Sequence, residues 1–201
     1  MTPINPNVNQ TVTFQHGQVA ELLRRLERFL GIPLSLRSNT GEVVVKTDYF
    51  FGPCSIIRGT EVGRLRCQKT YRNIEDHLLY RKVPYVNICY AGFLIFAVPL
   101  EFQGEMIGTL FGAQILPIRL ARKTEILEQF QESATAVGIR DLEEFCRSFD
   151  RVRNLEPDFQ RISFLEFLQK IGENFISMAL AGKSWPQFYR EIRDELKILE
   201  R

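Results

Sequence analysis

Two apolar runs rich in β-branched and aromatic residues, 87–102 and 105–116, flank a polar break at residues 103–104. A break that contains Gly between two such runs is typical of a β-hairpin, so the pattern predicts two long antiparallel strands. With this break as the loop, Phe102 faces Glu105 and the pairing continues by strict alternation. That register places the larger side chains on one face of the hairpin.

The other face of the predicted hairpin carries several small residues, which leave volume above the sheet. Small-molecule pockets need such volume together with a few polar groups, and Gln114 is the candidate polar group. The alternative is that the glycines mark bulges or a close approach of two backbones. The candidate ligand-binding residues of this face are Ile95, Ala97, Pro99, Gly108, Gly112 and Gln114.

Apolar residues elsewhere recur every three to four positions, which is helical spacing, or in short runs bounded by turn-forming residues. The predicted helices span residues 16–30, 65–81, 124–137, 141–152 and 157–181, with a short helical piece at 55–58. Further extended segments are predicted over residues 32–38, 42–48 and 84–92. The chain therefore opens with one helix, continues with strands, and becomes helical after residue 117.

Two short apolar seams near the ends of the chain have the three-four-three spacing of a coiled coil. The first seam is Val19, Leu22, Leu26 and Phe29, and the second is Tyr189, Ile192, Leu196 and Leu199. The second seam is under two heptads long and too short to be stable alone. The seams predict a homodimer through one or both of them, and the alternative for the first is packing on the sheet.

The composition limits the functional classes to which this protein can belong. With 201 residues, 45% hydrophobic and 25% charged, the chain can bury one core. The net charge of +2, with acidic and basic residues mixed, gives no reason to expect direct binding of nucleic acid. No apolar run reaches the roughly 20 residues that cross a bilayer. The start of the chain lacks the pattern of a secretory signal, so a cytoplasmic protein with no membrane partner is expected.

We divide the chain into a lead-in over residues 1–15, one domain over 16–181, and an amphipathic C-terminal helix over 182–201. Nothing in the domain has the spacing of a catalytic grouping. Neither His16 nor His77 has a nucleophile or carboxylate at a spacing that would form a catalytic group with it. A hydrolase or transferase is therefore disfavoured, and we predict that the protein is not an enzyme.

Cys54, Cys67 and Cys89 each lie beside turn-forming residues. Three thiolates can hold a metal ion when a side chain or solvent supplies a fourth ligand. The spacing lacks the short paired pattern of zinc sites, and free thiols in the core are the alternative. Spacing alone leaves both interpretations open.

A series of short motifs runs in order through the middle of the chain. They are FGPC (51–54), IR (57–58), GRLRC (63–67), PY (84–85), CYAG (89–92), FAVPL (96–100), Gly104, Gly108 and GAQ (112–114). In this order the chain resembles the PocR sensory-domain family, a ligand-binding module of prokaryotic signalling proteins. The resemblance runs from about residue 19 to residue 178.

The resemblance implies an α+β, PAS-like or GAF-like fold, in which helices flank a central antiparallel sheet of about five strands and the C-terminal part is helical. It implies a non-catalytic sensory domain with a pocket for small organic molecules such as alcohols and diols. The terminal helices would relay the signal to a transcriptional or kinase output domain or partner protein. The alternative is a redox or gas sensor with a metal ion or iron–sulfur cluster on the three cysteines; the cofactor is otherwise unknown.

The chain also departs from the family pattern. Tyr90 stands where the family tends to have His, Ile95 where it tends to have Asp, and Thr70 and Tyr71 replace Ser and Asp. The resemblance therefore adds Tyr90 to the candidate ligand-binding residues and implies a pocket less polar than that of diol sensors. It also places the three cysteines at a turn, a helix start and a strand end, so we expect them to converge around one site.

Overall fold

The protein is an α+β domain built on one antiparallel sheet. The computed structural model describes residues 16–47, 52–102, 104–116, 123–154, 161–181 and 190. Its elements are α1 (His16–Leu30), β1 (Leu34–Ser38), β2 (Val43–Lys46), α2 (Gly52–Gly59), α3 (Glu61–Arg81), β3 (Tyr85–Ile88), β4 (Leu94–Phe102), β5 (Glu105–Leu116), α4 (Lys123–Thr135), α5 (Leu142–Arg147), β6 (Arg153–Asn154) and α6 (Arg161–Ala181). A 3-10 turn over Ser148–Arg151 follows α5.

Five strands pair antiparallel in the order β2, β1, β5, β4, β3, and the short β6 pairs in parallel with the end of β5. The expected α+β fold class, with an antiparallel sheet of about five strands flanked by helices, is confirmed. In the described part of the chain, no helix has both the length and the apolar character needed to cross a bilayer. The predicted lead-in and most of the predicted C-terminal helix lie outside the described residues.

One helix boundary differs from the prediction. The residues between the predicted helical segments 55–58 and 65–81 form a tight junction, because Thr60 caps α3 by accepting a hydrogen bond from the Gly63 amide at 3.0 Å. A Thr side chain that satisfies a free amide of the first turn allows a helix to begin at once. As a result α2 and α3 follow each other directly, with Cys54 on the first and Cys67 on the second.

The register of the central hairpin also differs from the prediction. Phe102 faces Glu105 as expected, but the pairing shifts after Glu101, so that Leu100 faces Gly108 rather than Ile107. A slip of one residue moves every following side chain to the opposite face of the sheet. The small-residue face predicted for this hairpin therefore does not exist as one surface.

The terminal helices α1 and α6 cover the face of the sheet that carries Phe96, Val98 and Leu110. The N-terminal seam contributes to this core, since Val19, Leu22 and Leu26 are buried there. This seam therefore packs on the sheet, which is the alternative to its use in a dimer. The C-terminal seam lies outside the described residues. The face covered by α1 and α6 is therefore the one that connects the central strands to both terminal helices.

Helix α3 covers the opposite face of the sheet. Its buried residues Tyr71, Ile74 and Leu78 pack on Ala97 and Phe111 of the central strands. Towards the end of β5, a third cluster joins α2, α4 and α5 to the connection between β3 and β4. The aromatic rings that hold this cluster together are Phe93, Phe130, Phe145 and Phe149. The candidate site lies where the cluster under α3 meets this aromatic cluster.

Candidate functional site

A small cavity lies between α2, α3 and the centre of the sheet. Its lining residues are Cys54, Arg58, Cys67, Thr70, Tyr71, Cys89, Phe93, Ile95, Ala113 and Gln114. The cavity volume is about 30 Å³, which is enough for one ordered water molecule and little more. The fold thus brings the three cysteines, Ile95 and Gln114 to a single small space.

Gln114 is the most unusual residue of this cavity. Its side chain is only 1% exposed, and neither the amide nitrogen nor the amide oxygen makes a hydrogen bond of good geometry. The amide lies within weak hydrogen-bonding reach of the Cys54 thiol, whose pKa it lowers slightly against the larger effect of burial. A buried polar group without a partner costs about 1 to 3 kcal/mol, and most buried polar groups in native proteins are paired. An orphan amide that faces a cavity indicates a place where another molecule completes the hydrogen bonds.

The backbone at Gln114 is also unusual, with φ at +61° in the left-handed region. The strand pairing explains this conformation: Leu94 faces Ile115 and Phe96 faces Gly112, so two residues of β5 lie opposite the single residue Ile95. Such a bulge turns an extra side chain out of the alternating pattern. The bulge therefore positions the Gln114 amide at the cavity, at a backbone cost of about 1 to 2 kcal/mol.

The three thiols are held in their neutral form. Burial raises the pKa of Cys54 well above its usual value, and the nearby Cys89 and Cys67 raise it further. Burial likewise raises the pKa of Cys89 to about 11, and it raises the pKa of Cys67 although a hydrogen bond with Tyr90 acts against it. All three groups are therefore thiols at neutral pH, whereas metal ions bind thiolates.

The positions of these thiols do not form a ready metal site. Across the ranges that the structure describes, no three His, Cys, Asp or Glu side chains are arranged so that they could share a metal ion. A metal would therefore have to draw the cysteines together and displace their protons. As it stands, the arrangement fits a thiol-lined pocket better than a metal centre.

Tyr90 lies at the edge of the cavity, next to Cys67. Its hydroxyl donates a hydrogen bond to the Gly63 carbonyl at 3.0 Å and lies 3.7 Å from the Cys67 sulfur. The Arg66 guanidinium carbon lies 5.7 Å from the centre of the Tyr90 ring, a cation–π distance. These contacts join the β3–β4 connection to the start of α3, beside the part of the cavity wall that Cys67 forms.

Tyr71 links the cavity to the first strand of the sheet. Its ring packs edge-to-face on Phe111 at 4.8 Å, and the Arg37 guanidinium of β1 lies 5.2 Å from its centre. Arg37 also pairs with Glu75, one helical turn after Tyr71, at 2.7 Å, and both side chains are largely buried. Burial raises the pKa of Glu75 more than Arg37 lowers it.

Comparison of the sequence with known protein families identifies the family of this domain. Residues 13–180 match the family described as the sensory domain found in PocR. The chain belongs to the PocR sensory-domain family. No curated protein matches this PocR domain. One similar solved structure is a crystal structure of an IclR homolog complexed with 4-hydroxybenzoate from Microbacterium hydrocarbonoxydans, which is 14% identical over 70% of this chain and 71% of that chain, with a TM-score of 0.29.

The structure separates the predicted ligand-binding residues of the PocR domain into two groups. Ile95 and Gln114 line the cavity, and Tyr90 lies at its edge. Ala97 and Pro99 are buried further along β4, on the same side of the strand as Ile95, but they do not line the cavity. Ala97 packs in the cluster beneath α3, and Pro99 is buried further along the same strand.

Gly108 and Gly112 lie on the other face of the sheet, so the expectation that they leave room beside Gln114 is wrong. A Cβ atom at Gly112 would lie 2.2 Å from the Phe96 ring, and one at Gly108 would lie 2.6 Å from the Arg37 carbonyl oxygen. The physical reason is the register shift, which turns both residues towards the face that α1 and α6 cover. Their small size permits close packing of the sheet against its neighbours, which is the alternative interpretation of these glycines given above.

Five of the residues that line the cavity were not among the predicted site residues. These are Arg58, Thr70, Tyr71, Phe93 and Ala113. Helical spacing carried a signal for three of them, because residues three or four positions apart lie on the same side of a helix. Arg58 follows Cys54 by four positions, and Thr70 and Tyr71 follow Cys67 by three and four.

Proposed function

We propose that this PocR domain is a non-catalytic sensor that binds one small polar organic molecule in the cavity beside Gln114. The observation that supports this most strongly is the buried Gln114 amide with two unpaired polar atoms. A ligand that accepts from its N–H and donates to its carbonyl oxygen removes a penalty of about 1 to 3 kcal/mol. The neutral thiols and the side chains of Phe93, Ile95 and Ala113 supply an apolar surround for such a ligand.

Ligand entry requires the cavity to enlarge, because about 30 Å³ accommodates little more than one water molecule. The contacts at the edge suggest where the cavity opens. Tyr90 is tied to α3 by one hydrogen bond to Gly63, by a long contact with Cys67 and by the cation–π contact with Arg66. Movement of the Tyr90 ring breaks few interactions and uncovers the Cys67 side of the cavity.

The proposed relay passes through the sheet from one face to the other. Gln114 lies at the cavity, and the next residue, Ile115, is buried in the core shared with α1 and α6. A ligand that draws the Gln114 amide into hydrogen bonds changes the bulge, and the bulge sets the position of Ile115. Terminal helices are therefore the proposed route to an output domain or partner protein. Hydrogen exchange should change in α1 and α6 when ligand binds; a change confined to α2 and α3 would oppose this route.

The proposed assembly is a homodimer through the C-terminal seam, since the N-terminal seam is used inside the domain. Light scattering of the full chain should give twice the monomer mass of 23.4 kDa. A charged substitution in the seam, Leu196→Glu, should return the protein to the monomer mass. If the unsubstituted protein has the monomer mass at high micromolar concentration, the proposed dimer is wrong.

A metal-based or iron–sulfur sensor is the second candidate, because three cysteines line one cavity. Elemental analysis of freshly purified protein separates the two candidates. The first proposal expects far less than one metal ion per chain. One zinc or several iron atoms per chain, lost together in Cys67→Ser, would replace the organic ligand with a metal centre.

The ligand proposal is tested by screening one- to four-carbon alcohols, diols, amides and acids with calorimetry. At least one compound should bind the unsubstituted domain and lose most of its affinity in Gln114→Met. Gln169→Met, in which the changed side chain lies on α6 and bonds Glu173, is the matched control and should bind normally. Equal binding to all three proteins would place the ligand elsewhere.

A further inference from the structure

Exposed apolar side chains are concentrated on one helix of this domain. Among the described residues seven large apolar side chains are well exposed, and five of them lie on α3 or in the turn that follows it. Single exposed apolar residues are normal in proteins, whereas several on one surface are typical of an interaction site. The five residues are Val62 (47% exposed), Leu65 (55%), Leu79 (50%), Tyr80 (90%) and Val83 (53%).

Four of these residues belong to a stripe along α3 whose members recur at alternating intervals of three and four positions. Residues at such intervals lie on one side of a helix. The buried residues Tyr71, Ile74 and Leu78 belong to the opposite side, which packs on the sheet. All members of the stripe are exposed, so it faces away from the domain. This outer stripe consists of Val62, Leu65, Lys69, Arg72, Asp76, Leu79 and Val83.

The outer stripe has apolar residues at both ends and charged residues in the middle. The two basic residues, Lys69 and Arg72, come first, and the acidic Asp76 follows. Lys69 and Asp76 are seven residues apart, or about 10 Å along a helix, which is too far for an ion pair within α3. Their charges are therefore suited to opposite charges on another molecule.

We infer that α3 pairs antiparallel with α3 of a second copy of this chain, through the outer stripe and about a two-fold axis between Arg72 and Asn73. In a two-fold contact each surface must be complementary to itself, because every pair of residues occurs twice. This axis places Lys69 opposite Asp76 of the second copy. It also places the apolar beginning of each helix opposite the apolar end of the other.

The arrangement of charges favours the antiparallel direction. In a parallel pair Lys69 would face Lys69 and Asp76 would face Asp76, and like charges in contact oppose association. The antiparallel pair brings the two Arg72 side chains close to the axis. Asp76 follows Arg72 by one helical turn, so each Asp76 carboxylate lies between Arg72 of its own helix and Lys69 of the second copy.

This contact is separate from the proposed C-terminal seam and does not depend on the ligand. It uses one helix of each copy, so it belongs with the small interfaces, below about 1,200 Å², that bind weakly. We expect a dissociation constant of about 0.1 mM for this contact alone. The full chain with Leu196→Glu, which removes the seam, should therefore have the monomer mass at about 10 μM and associate as its concentration rises.

Sedimentation equilibrium of the Leu196→Glu protein, from about 10 μM to 0.5 mM, measures the α3 contact without the seam. Adding Leu65→Glu should weaken self-association at least about tenfold, because it places a carboxylate in the apolar part of the contact. Val43→Glu is the matched control and should leave the association unchanged. Val43 is also 55% exposed, but it lies on β2 rather than on α3.

Exchange of charges tests the pairing of Lys69 with Asp76. In the Leu196→Glu protein, Lys69→Asp and Asp76→Lys each place like charges opposite each other twice, so each should weaken self-association at least about tenfold. A mixture of these two variants has opposite charges at both positions and should associate again. The double variant Lys69→Asp with Asp76→Lys should also recover, because the pairing is only reversed.

Three results would overturn the inference: a monomer mass of the Leu196→Glu protein up to about 0.5 mM, equal effects of Leu65→Glu and Val43→Glu, or no recovery in the mixture. None of them affects the proposed sensor, which is tested by ligand binding to Gln114→Met. The seam is tested separately by the mass of the unsubstituted chain. Variants are first compared by circular dichroism, and Leu79→Glu, at the other end of the outer stripe, replaces Leu65→Glu should that variant fold poorly.

Discussion

The unpaired amide of Gln114 makes a prediction about stability as well as binding. Gln114→Met keeps the length and approximate volume of the side chain but removes both unpaired polar atoms. The backbone stays in the left-handed region, so its cost is the same for both residues. Any change in the free energy of unfolding therefore comes from the amide itself.

The expected size follows from the cost of an unpaired buried group, which is about 1 to 3 kcal/mol. The cavity accommodates about one water molecule, and a water that bonds the amide lowers this cost. We therefore expect Gln114→Met to raise the free energy of unfolding by about 1 to 2 kcal/mol relative to the unsubstituted protein. In a domain of this length each 1 kcal/mol shifts Tm by about 2 to 4 °C.

Urea unfolding followed by circular dichroism, without added ligand, measures the change. Gln169→Met is the control, since its side chain is partly exposed on α6 and should alter the unfolding free energy by less than about 0.5 kcal/mol. A loss of more than about 1 kcal/mol in Gln114→Met would refute the reasoning, because it would show that the amide is well paired in the folded protein. A gain accompanied by loss of ligand binding would show that Gln114 is kept for binding at the expense of stability.

Three further predictions concern packing and titration. Gly112→Ala should lower the unfolding free energy by about 1 to 3 kcal/mol, because its Cβ meets the Phe96 ring at 2.2 Å; Gly59→Ala, with nothing within 4 Å of its Cβ, is the control, and equal effects would contradict the register. Glu75 has a pKa raised above 4.5 by burial, so its favourable contribution is greatest below that pH and falls as pH rises through the raised value. Glu75→Gln should therefore gain in unfolding free energy relative to the unsubstituted protein between pH 4 and pH 7, and a pH-independent difference would oppose this. Cys89 has a pKa of about 11, so maleimide labelling of the native protein should be slow at pH 7.5 and accelerate up to pH 10; rapid labelling at pH 7.5 would contradict a half-buried, neutral thiol.

Local sequence patterns were enough to predict most helices and strands of this fold. Apolar periodicity and turn residues gave α1, α3 and the second strand of the central hairpin close to their observed bounds, whereas the first strand of the hairpin begins only at Leu94. The register of that hairpin could not be predicted in the same way. The shift after Glu101 and the bulge at Gln114 depend on how the strands pack between two helical layers, and neither leaves a mark in the alternation of residues.

Because local patterns do not determine strand register, only some of the site residues could be predicted from the sequence. Gln114 was selected as a polar group in an apolar run, and the resemblance to the PocR family grouped the three cysteines around one site. Gly108 and Gly112 were assigned to the wrong face because that assignment assumed an uninterrupted alternation. Arg58 was missed as a site residue because its relation to the cavity depends on the direct junction of α2 with α3.

The central claim is that a small polar molecule binds in the cavity and completes the hydrogen bonds of Gln114. The most direct measurement is the side-chain amide signal of Gln114 in a ¹⁵N NMR spectrum, assigned by its disappearance in Gln114→Met. When a compound that binds by calorimetry is titrated, this signal should shift to saturation at the same concentration as the heat of binding. A bound compound that leaves the Gln114 signal unchanged while signals elsewhere shift would contradict the account.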